Sequence, residues 1–168
     1  MPVENNQPGM LYVAVRGEGA AMMPIAGGEL TPIQVVQAGD TAHLRFVESV
    51  ESSHGDQDRQ NAVAKAVGIT AASVRVDSQA KYGIVASGQA ALYLRLPSPK
   101  SPNYRENIWD HAAGAIVVEE AGGRVSDIRG KPLNFADGAK MLDNRGVVVS
   151  NKIIHEQVLS ILQQFQLE

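Results

Sequence analysis

Three short stretches place reactive side chains where the chain is expected to turn. In Asp77-Ser78-Gln79-Ala80-Lys81-Tyr82, a hydroxyl and an ammonium fall within one helical turn, where a strand-like run (73–77) hands over to a helical one (78–87). The Ser78 hydroxyl is expected to cap that helix. Lys81 then stands in the first turn, where the macrodipole disfavours a cation by about 0.3–1 kcal/mol. Amides, a hydroxyl and an ammonium at one helix start suit an anion. A solvated lysine whose stem covers apolar surface would leave the same pattern. In Trp109-Asp110-His111-Ala112-Ala113-Gly114, Asp110 is placed at the start of a helix (110–121), where capping and the dipole keep its carboxylate ionised. Such a carboxylate is a hard ligand for magnesium, although an Asp there is more often only a cap. The run 112–115, all Ala and Gly, leaves one side of that helix nearly bare for close backbone approach. Arg95 closes Leu92-Tyr93-Leu94-Arg95-Leu96-Pro97, and a guanidinium at a strand end can grip phosphate through two nitrogens; a surface ion pair is its commoner use. His54, after Ser52-Ser53, fits a binding site or part of a helix cap.

The elements that must hold these residues follow from the apolar pattern. Met10-Leu11-Tyr12-Val13-Ala14-Val15 reads as a strand, Gly17-Glu18-Gly19 as a turn, and 21–25 as the returning partner. Residues 27–40 read as loop, with Pro24 and Pro32 as breakers. A second strand starts at 44–48. A helix is predicted over 55–67, capped by Ser52 or Ser53, with Ala62, Val63, Ala66 and Val67 as its inner stripe and Gly68 as its stop. Further strands are expected at 73–77, 91–96, 124–126 and 147–149, the last a continuous valine run suited to burial on both faces. Ile154, Val158, Ile161, Leu162 and Phe165 mark the final helix. Strands alternating with helices imply an α/β layered domain. The leading hairpin has nothing before it to pair with and a long loop after it, an arrangement uncommon in a compact domain.

Composition narrows the function. The 168 residues are one domain's worth of chain, and 44% are hydrophobic. Lys and Arg number 15 against 18 Asp and Glu, a net charge of −3, so a nucleic-acid polymer is not the expected partner. No apolar run is long enough to span a bilayer and no basic-then-apolar leader opens the sequence, so neither membrane insertion nor secretion is expected. The absence of cysteine removes thiol nucleophiles and Cys-bound zinc and fits a cytoplasmic protein. Met22 stands where a dinucleotide fingerprint begun by Gly17 and Gly19 needs glycine. His43, His54, His111 and His155 never fall at zinc-ligand spacing.

Taken together and in order, Glu51-Ser52-Ser53-His54, Asp77-Ser78-Gln79-Ala80-Lys81-Tyr82, Tyr93-Leu94-Arg95-Leu96-Pro97, Ile108-Trp109-Asp110-His111-Ala112-Ala113-Gly114 and Glu120-Ala121-Gly122-Gly123 resemble the 3′(2′),5′-bisphosphate nucleotidases of the inositol monophosphatase superfamily, magnesium-dependent and lithium-sensitive phosphatases. The likeness runs from about Met10 to Phe165. It implies a layered α-β-α lobe of the sugar-phosphatase fold and hydrolysis of 3′-phosphoadenosine 5′-phosphate to AMP. It also implies roles: Asp110 as a catalytic carboxylate and ligand of Mg²⁺, and His54, Ser78, Lys81, Arg95 and Asp110 around the nucleotide and its phosphates.

The family also requires a Glu and an Asp-Pro-x-Asp-Gly-Thr segment that supply most metal ligands. Neither occurs here, and Asp137-Gly138-Ala139 is the nearest string. The resemblance therefore points to a C-terminal lobe (44–168) led by a hairpin and loop (1–43) belonging to the N-terminal lobe. The chain alone is expected to be inactive, with that missing lobe as its partner, and the exposed hairpin edge is expected to recruit a second copy. A non-catalytic nucleotide-binding or assembly module that lacks the metal-binding half, and an inositol polyphosphate phosphatase, are the alternatives.

Overall fold

The computed structural model describes residues 9–51 and 56–165; Ser52, Ser53 and His54 lie outside them. Five strands form the main sheet: β4 (Phe46–Glu48), β5 (Val74–Arg75), β6 (Leu92–Arg95), β7 (Arg124–Ser126) and β8 (Val147–Ser150). Their order is β5-β4-β6-β8-β7. β4 runs parallel to both neighbours, and β8 is antiparallel to β6 and β7. The period of two along each strand divides the core. Phe46, Leu92, Leu94 and Val148 meet α1 (Gln57–Val67) and α4 (His155–Gln164) on one face. Val47, Tyr93, Val147 and Val149 meet α2 (Ala80–Ala86) and α3 (Ala112–Glu120) on the other. The valines of β8 are fully buried, as a continuous apolar run requires.

Connection chirality explains this division. The step from β4 to β5 moves one way along the sheet and the step from β5 to β6 moves back past β4. Right-handed crossovers then place α1 and α2 on opposite faces. A crevice opens where crossovers diverge, at the carboxyl ends of the parallel strands, and that is where open α/β sheets bind ligands.

A second, antiparallel sheet consists of β1 (Met10–Val15), β2 (Gly19–Pro24) and β3 (Thr31–Pro32), in that order. Its inner side, with Tyr12, Ala14, Ala20 and Met22, packs on α2 and α3 in the same core cluster. Leu11, Val13 and Val15 alternate outward and are exposed. Two glycines permit the stacking. A Cβ on Gly83 would stand 2.6 Å from the Tyr12 ring, and one on Gly114 would stand 2.3 Å from Cγ of Tyr82. Among the described residues, no helix is long and apolar enough to cross a membrane.

Several local expectations are corrected. The stretch 27–40 is not wholly loop: it contributes β3, and Ile33 and Val35 are buried, their amides donating to the carbonyls of Ala20 and Ala121. The hairpin thus has a third strand and a helical floor. Helix α1 is capped by Asp56, whose side chain accepts from the Arg59 amide at 3.1 Å. Its inner face is Gln60, Val63, Ala64 and Val67, while Ala62 and Ala66 face out. Small alanines fit either side, so composition alone misplaced the stripe. Ser78 does not cap α2: the helix starts after Gln79 with no side-chain cap, and Ser78 takes a left-handed φ of 57°. Asp110 belongs to a 3-10 turn, Ile108–Asp110, and α3 begins only after His111.

His155 is fully buried, its Nδ1 and Nε2 bonded to the hydroxyls of Ser150 and Ser126 at 2.7 and 2.8 Å. Burial, reinforced by the nearby charge of Arg124, lowers its pKa from 6.5 to about 4. Between those values the unfolded chain binds a proton that the folded chain refuses. Stability is therefore expected to fall as pH drops from 6.5 toward 4. Urea midpoints across that range should show the slope, and His155→Gln should flatten it. Gly114→Ala is expected to lower stability by about 1–3 kcal/mol, the cost of overpacking a filled core, read by the same denaturation curves.

Candidate functional site

The ends of the parallel strands build one pocket. Ser49 follows β4, Asp77 and Ser78 follow β5, and Arg95 ends β6. The Val50 amide donates to Asp77 Oδ1 at 2.9 Å, tying the first two ends together. The pocket has a volume of about 470 Å³ and is lined by Asp77, Ser78, Gln79, Lys81, Tyr93, Arg95, Glu106, Asp110 and His111. Ser78, its φ in a region uncommon for a residue with a side chain, marks a strained point of the wall.

Lys81 is 4% exposed. Its ammonium donates to Ser49 Oγ at 3.0 Å and stands 5.3 Å from the centre of the Tyr93 ring. Among the described residues no carboxylate forms an ion pair with it. Burial lowers its pKa; Asp77 opposes that shift and Arg95 adds to it. A buried cation short of counter-charge is electrostatically prepared for an anion. The case for an anion rests on this burial rather than on the amides of the seven-residue α2.

Arg95 is held differently. Its Nε donates to Glu106 Oε1 at 3.0 Å, and Glu106 Oε2 lies 3.1 Å from His111 Nε2. His111 Nδ1 is bonded to the Tyr82 hydroxyl at 2.7 Å. Burial works against the Glu106 carboxylate, yet hydrogen bonds and charge from His111 and Arg95 outweigh it and hold its pKa below the usual range. Burial raises both Tyr82 and Tyr93, so both phenols stay protonated.

Asp110 is exposed at the rim, its Oδ2 accepting from Asn107 Nδ2 at 3.0 Å, while Asn107 Oδ1 accepts from Lys140 at 2.9 Å. Gln79 joins α2 to α3. It accepts from the Gly114 amide at 2.9 Å and donates to the Trp109 carbonyl at 2.8 Å. One side chain therefore satisfies an unpaired amide in the first turn of α3 and fixes the turn that carries Asp110.

Four of the five residues singled out in the sequence, Ser78, Lys81, Arg95 and Asp110, line this one pocket. His54 lies outside the described residues. Sequence reasoning missed Asp77, Gln79, Tyr93, His111 and Glu106. The first four lie within the motifs above, which assign them no binding role. Glu106 comes from a stretch after the Pro-rich turn with no periodicity to place it.

A model of the inositol monophosphatase family matches residues 2–167. The 3′(2′),5′-bisphosphate nucleotidase of Emericella nidulans is 43% identical over 159 residues, which is 93% of this chain and 45% of that protein. The one from Schizosaccharomyces pombe is 41% identical over 166 residues, 95% of this chain and 46% of that protein. The chain thus spans less than half the length of these curated relatives. Among solved structures, SuhB of Mycobacterium tuberculosis superposes with a TM-score of 0.64 at 21% identity, over 94% of this chain and 55% of that one. An inositol monophosphatase from Anabaena gives 0.57 at 22%, over 87% and 54%. These structures share the fold, and the sequences share more. With its pocket at the carboxyl ends of β5 and β6, the chain belongs to the inositol monophosphatase family, alongside relatives curated as 3′(2′),5′-bisphosphate nucleotidases.

Proposed function

We propose that this chain is the nucleotide-binding half of a phosphatase that removes the 3′-phosphate of 3′-phosphoadenosine 5′-phosphate to give AMP. The observation that carries the reading is Lys81, a buried ammonium with no carboxylate in ion-pair contact among the described residues, in one pocket with Ser78 and Arg95. In this reading Lys81 and Arg95 grip phosphate, Ser78 adds a hydroxyl, His54 meets the nucleotide, and Asp110 faces the ester to be cut.

Phosphoryl transfer needs an activated water and neutralisation of the charge on the transferring group. Mg²⁺ is the group the family resemblance implies for both. It asks for several oxygens in octahedral array, and among the described residues no cluster of three or more His, Cys, Asp or Glu is placed to hold a metal. The described residues by themselves therefore do not make the site. Asp110, oriented by Asn107, would be one ligand. We place the others in the half that the longer relatives carry beyond the matched region, docked on the edge of β1 that no described strand covers and on the apolar outer row of Leu11, Val13 and Val15. Residues 1–43 then belong structurally with that half, and 44–168 form the nucleotide-binding lobe.

Titration calorimetry with adenosine 3′,5′-bisphosphate tests the reading, with AMP and an inositol bisphosphate as comparisons. Lys81→Ala is expected to weaken binding by about 1.5–3 kcal/mol, the scale of a hydrogen bond to a charged group. An unchanged constant at low salt removes Lys81 from the site. In the protein assembled with the complementary half, Asp110→Asn is expected to cut phosphate release at least tenfold, roughly what even a metal's outer partners contribute, with nucleotide affinity little changed. Normal kinetics would reduce Asp110 to a partner of Asn107. Binding without turnover in the assembled protein would instead leave a nucleotide-binding module, and preference for the inositol compound would move the substrate class.

A further inference from the structure

Glu106 is an unexpected neighbour for an anion. A carboxylate in the wall of a phosphate pocket repels the ligand, so its presence has to be offset by something it does for the site. Both of its oxygens are engaged, and each engages a different element: Oε1 takes Arg95 Nε from the end of β6, and Oε2 takes His111 from the start of α3. His111 is 2% exposed and is fixed in turn by the Tyr82 hydroxyl from α2. A carboxylate can only accept, so Nε2 of His111 carries a proton, and Nδ1 is left for the phenol.

The pair of Arg95 and Glu106 also lines a second cavity of about 250 Å³, together with Leu96, Pro97 and Tyr104. The plane of this guanidinium therefore helps shape two hollows. An arginine held at Nε loses rotation about its last bonds before any ligand arrives, and a fork already oriented gives up less freedom on binding.

We propose that Glu106 is a positioning residue, backed by His111 and Tyr82, that fixes the Arg95 guanidinium in the plane in which it meets a phosphate. This rests on the phosphate-binding reading, but the orientation of Arg95 can be read without any ligand. The relay runs from the core outward: Tyr82 is packed edge-on against Tyr93 at 5.4 Å and lies over Gly114. Packing between α2 and α3 thereby reaches the pocket wall through three hydrogen bonds.

The test uses ¹⁵N-labelled chain and the Arg95 Nε–H resonance, assigned by its loss in Arg95→Lys. In the unaltered chain this signal is expected to be resolved and to exchange slowly with water. Glu106→Gln should raise its exchange rate at least tenfold and weaken adenosine 3′,5′-bisphosphate binding by a similar factor, with the backbone amide spectrum retained. Tyr82→Phe, which keeps the ring and removes only the hydroxyl, should raise the exchange a fewfold, and it decides the matter if Glu106→Gln does not fold. An unchanged Nε–H signal in the folded variant overturns the positioning role. Faster exchange with an unchanged dissociation constant overturns its link to phosphate. If the unaltered chain fails to bind at millimolar ligand, the phosphate-binding reading falls and takes that link with it, while the exchange data still report whether Glu106 holds Arg95.

Discussion

Taking an ammonium out of water is expensive unless a counter-charge or a full set of acceptors replaces its hydration, and among the described residues Lys81 meets one hydroxyl and the face of one ring. That imbalance constrains the elements around it. Helix α2 has to present Lys81 toward the strand ends while turning the next residue, Tyr82, into the core. Tyr82 fits only because Gly114 leaves α3 bare at the point of contact. Gln79 then locks the two helices by bonding the Gly114 amide and the Trp109 carbonyl. The contact between α2 and α3 thus determines where the buried cation stands relative to Asp110. Arg95, only one strand away, solves the same electrostatic problem by the opposite route, with Glu106 as a built-in counter-ion.

On the proposed reading, the charge carried by the pocket is what a complementary half would have to offset. Asp77, Glu106 and Asp110 face it against Lys81 and Arg95, so the carboxylates exceed the cations by one. A ligand with two phosphates meets local attraction at the cations and repulsion at the acidic rim. Glu106 is paired with Arg95 in place and hydrogen-bonded to His111, and Asp77 is bonded by the Val50 amide. Asp110, exposed and held by one neutral amide from Asn107, carries the least compensated negative charge of the three. A divalent cation brought between Asp110 and the ester would reverse that repulsion. In the proposed assembly this is the electrostatic task of the absent ligands.

Much of this was legible because the site residues lie at the ends of elements, and element ends are where sequence patterns change. The run Leu92 to Arg95 stops at Pro97, so Arg95 could be placed at a strand end without knowing the sheet order. Ser78 and Lys81 follow another such change. Asp110 was placed at the right junction, although a 3-10 turn intervenes before α3. What stayed hidden depends on partners distant in sequence. Glu106 lies 11 residues beyond Arg95 in an aperiodic stretch, and nothing local says that it bonds both Arg95 and His111. Ser49 meets Lys81 across 32 residues. The left-handed turn at Ser78 was also illegible, since a serine before a helix reads as a cap whether or not its hydroxyl is used.

Helix α3 connects the parts that the proposed assembly would have to align. The turn before it carries Asp110, and His111 at its start anchors Glu106 and through it Arg95. Its bare face at Gly114 receives Tyr82. Its far end fixes the small sheet, because Glu120 accepts from the Gly19 amide at 3.1 Å and, with Glu119, pairs with Arg16 at the tip of the hairpin. The nine-residue α3 therefore links the floor of the small sheet to the turn that forms the rim of the pocket. Anything that completes the sheet along β1 is brought into a set orientation toward Asp110 without a separate contact at the site. The exposed apolar row on β1 and the undercompensated carboxylate are on this account two ends of a single geometric requirement.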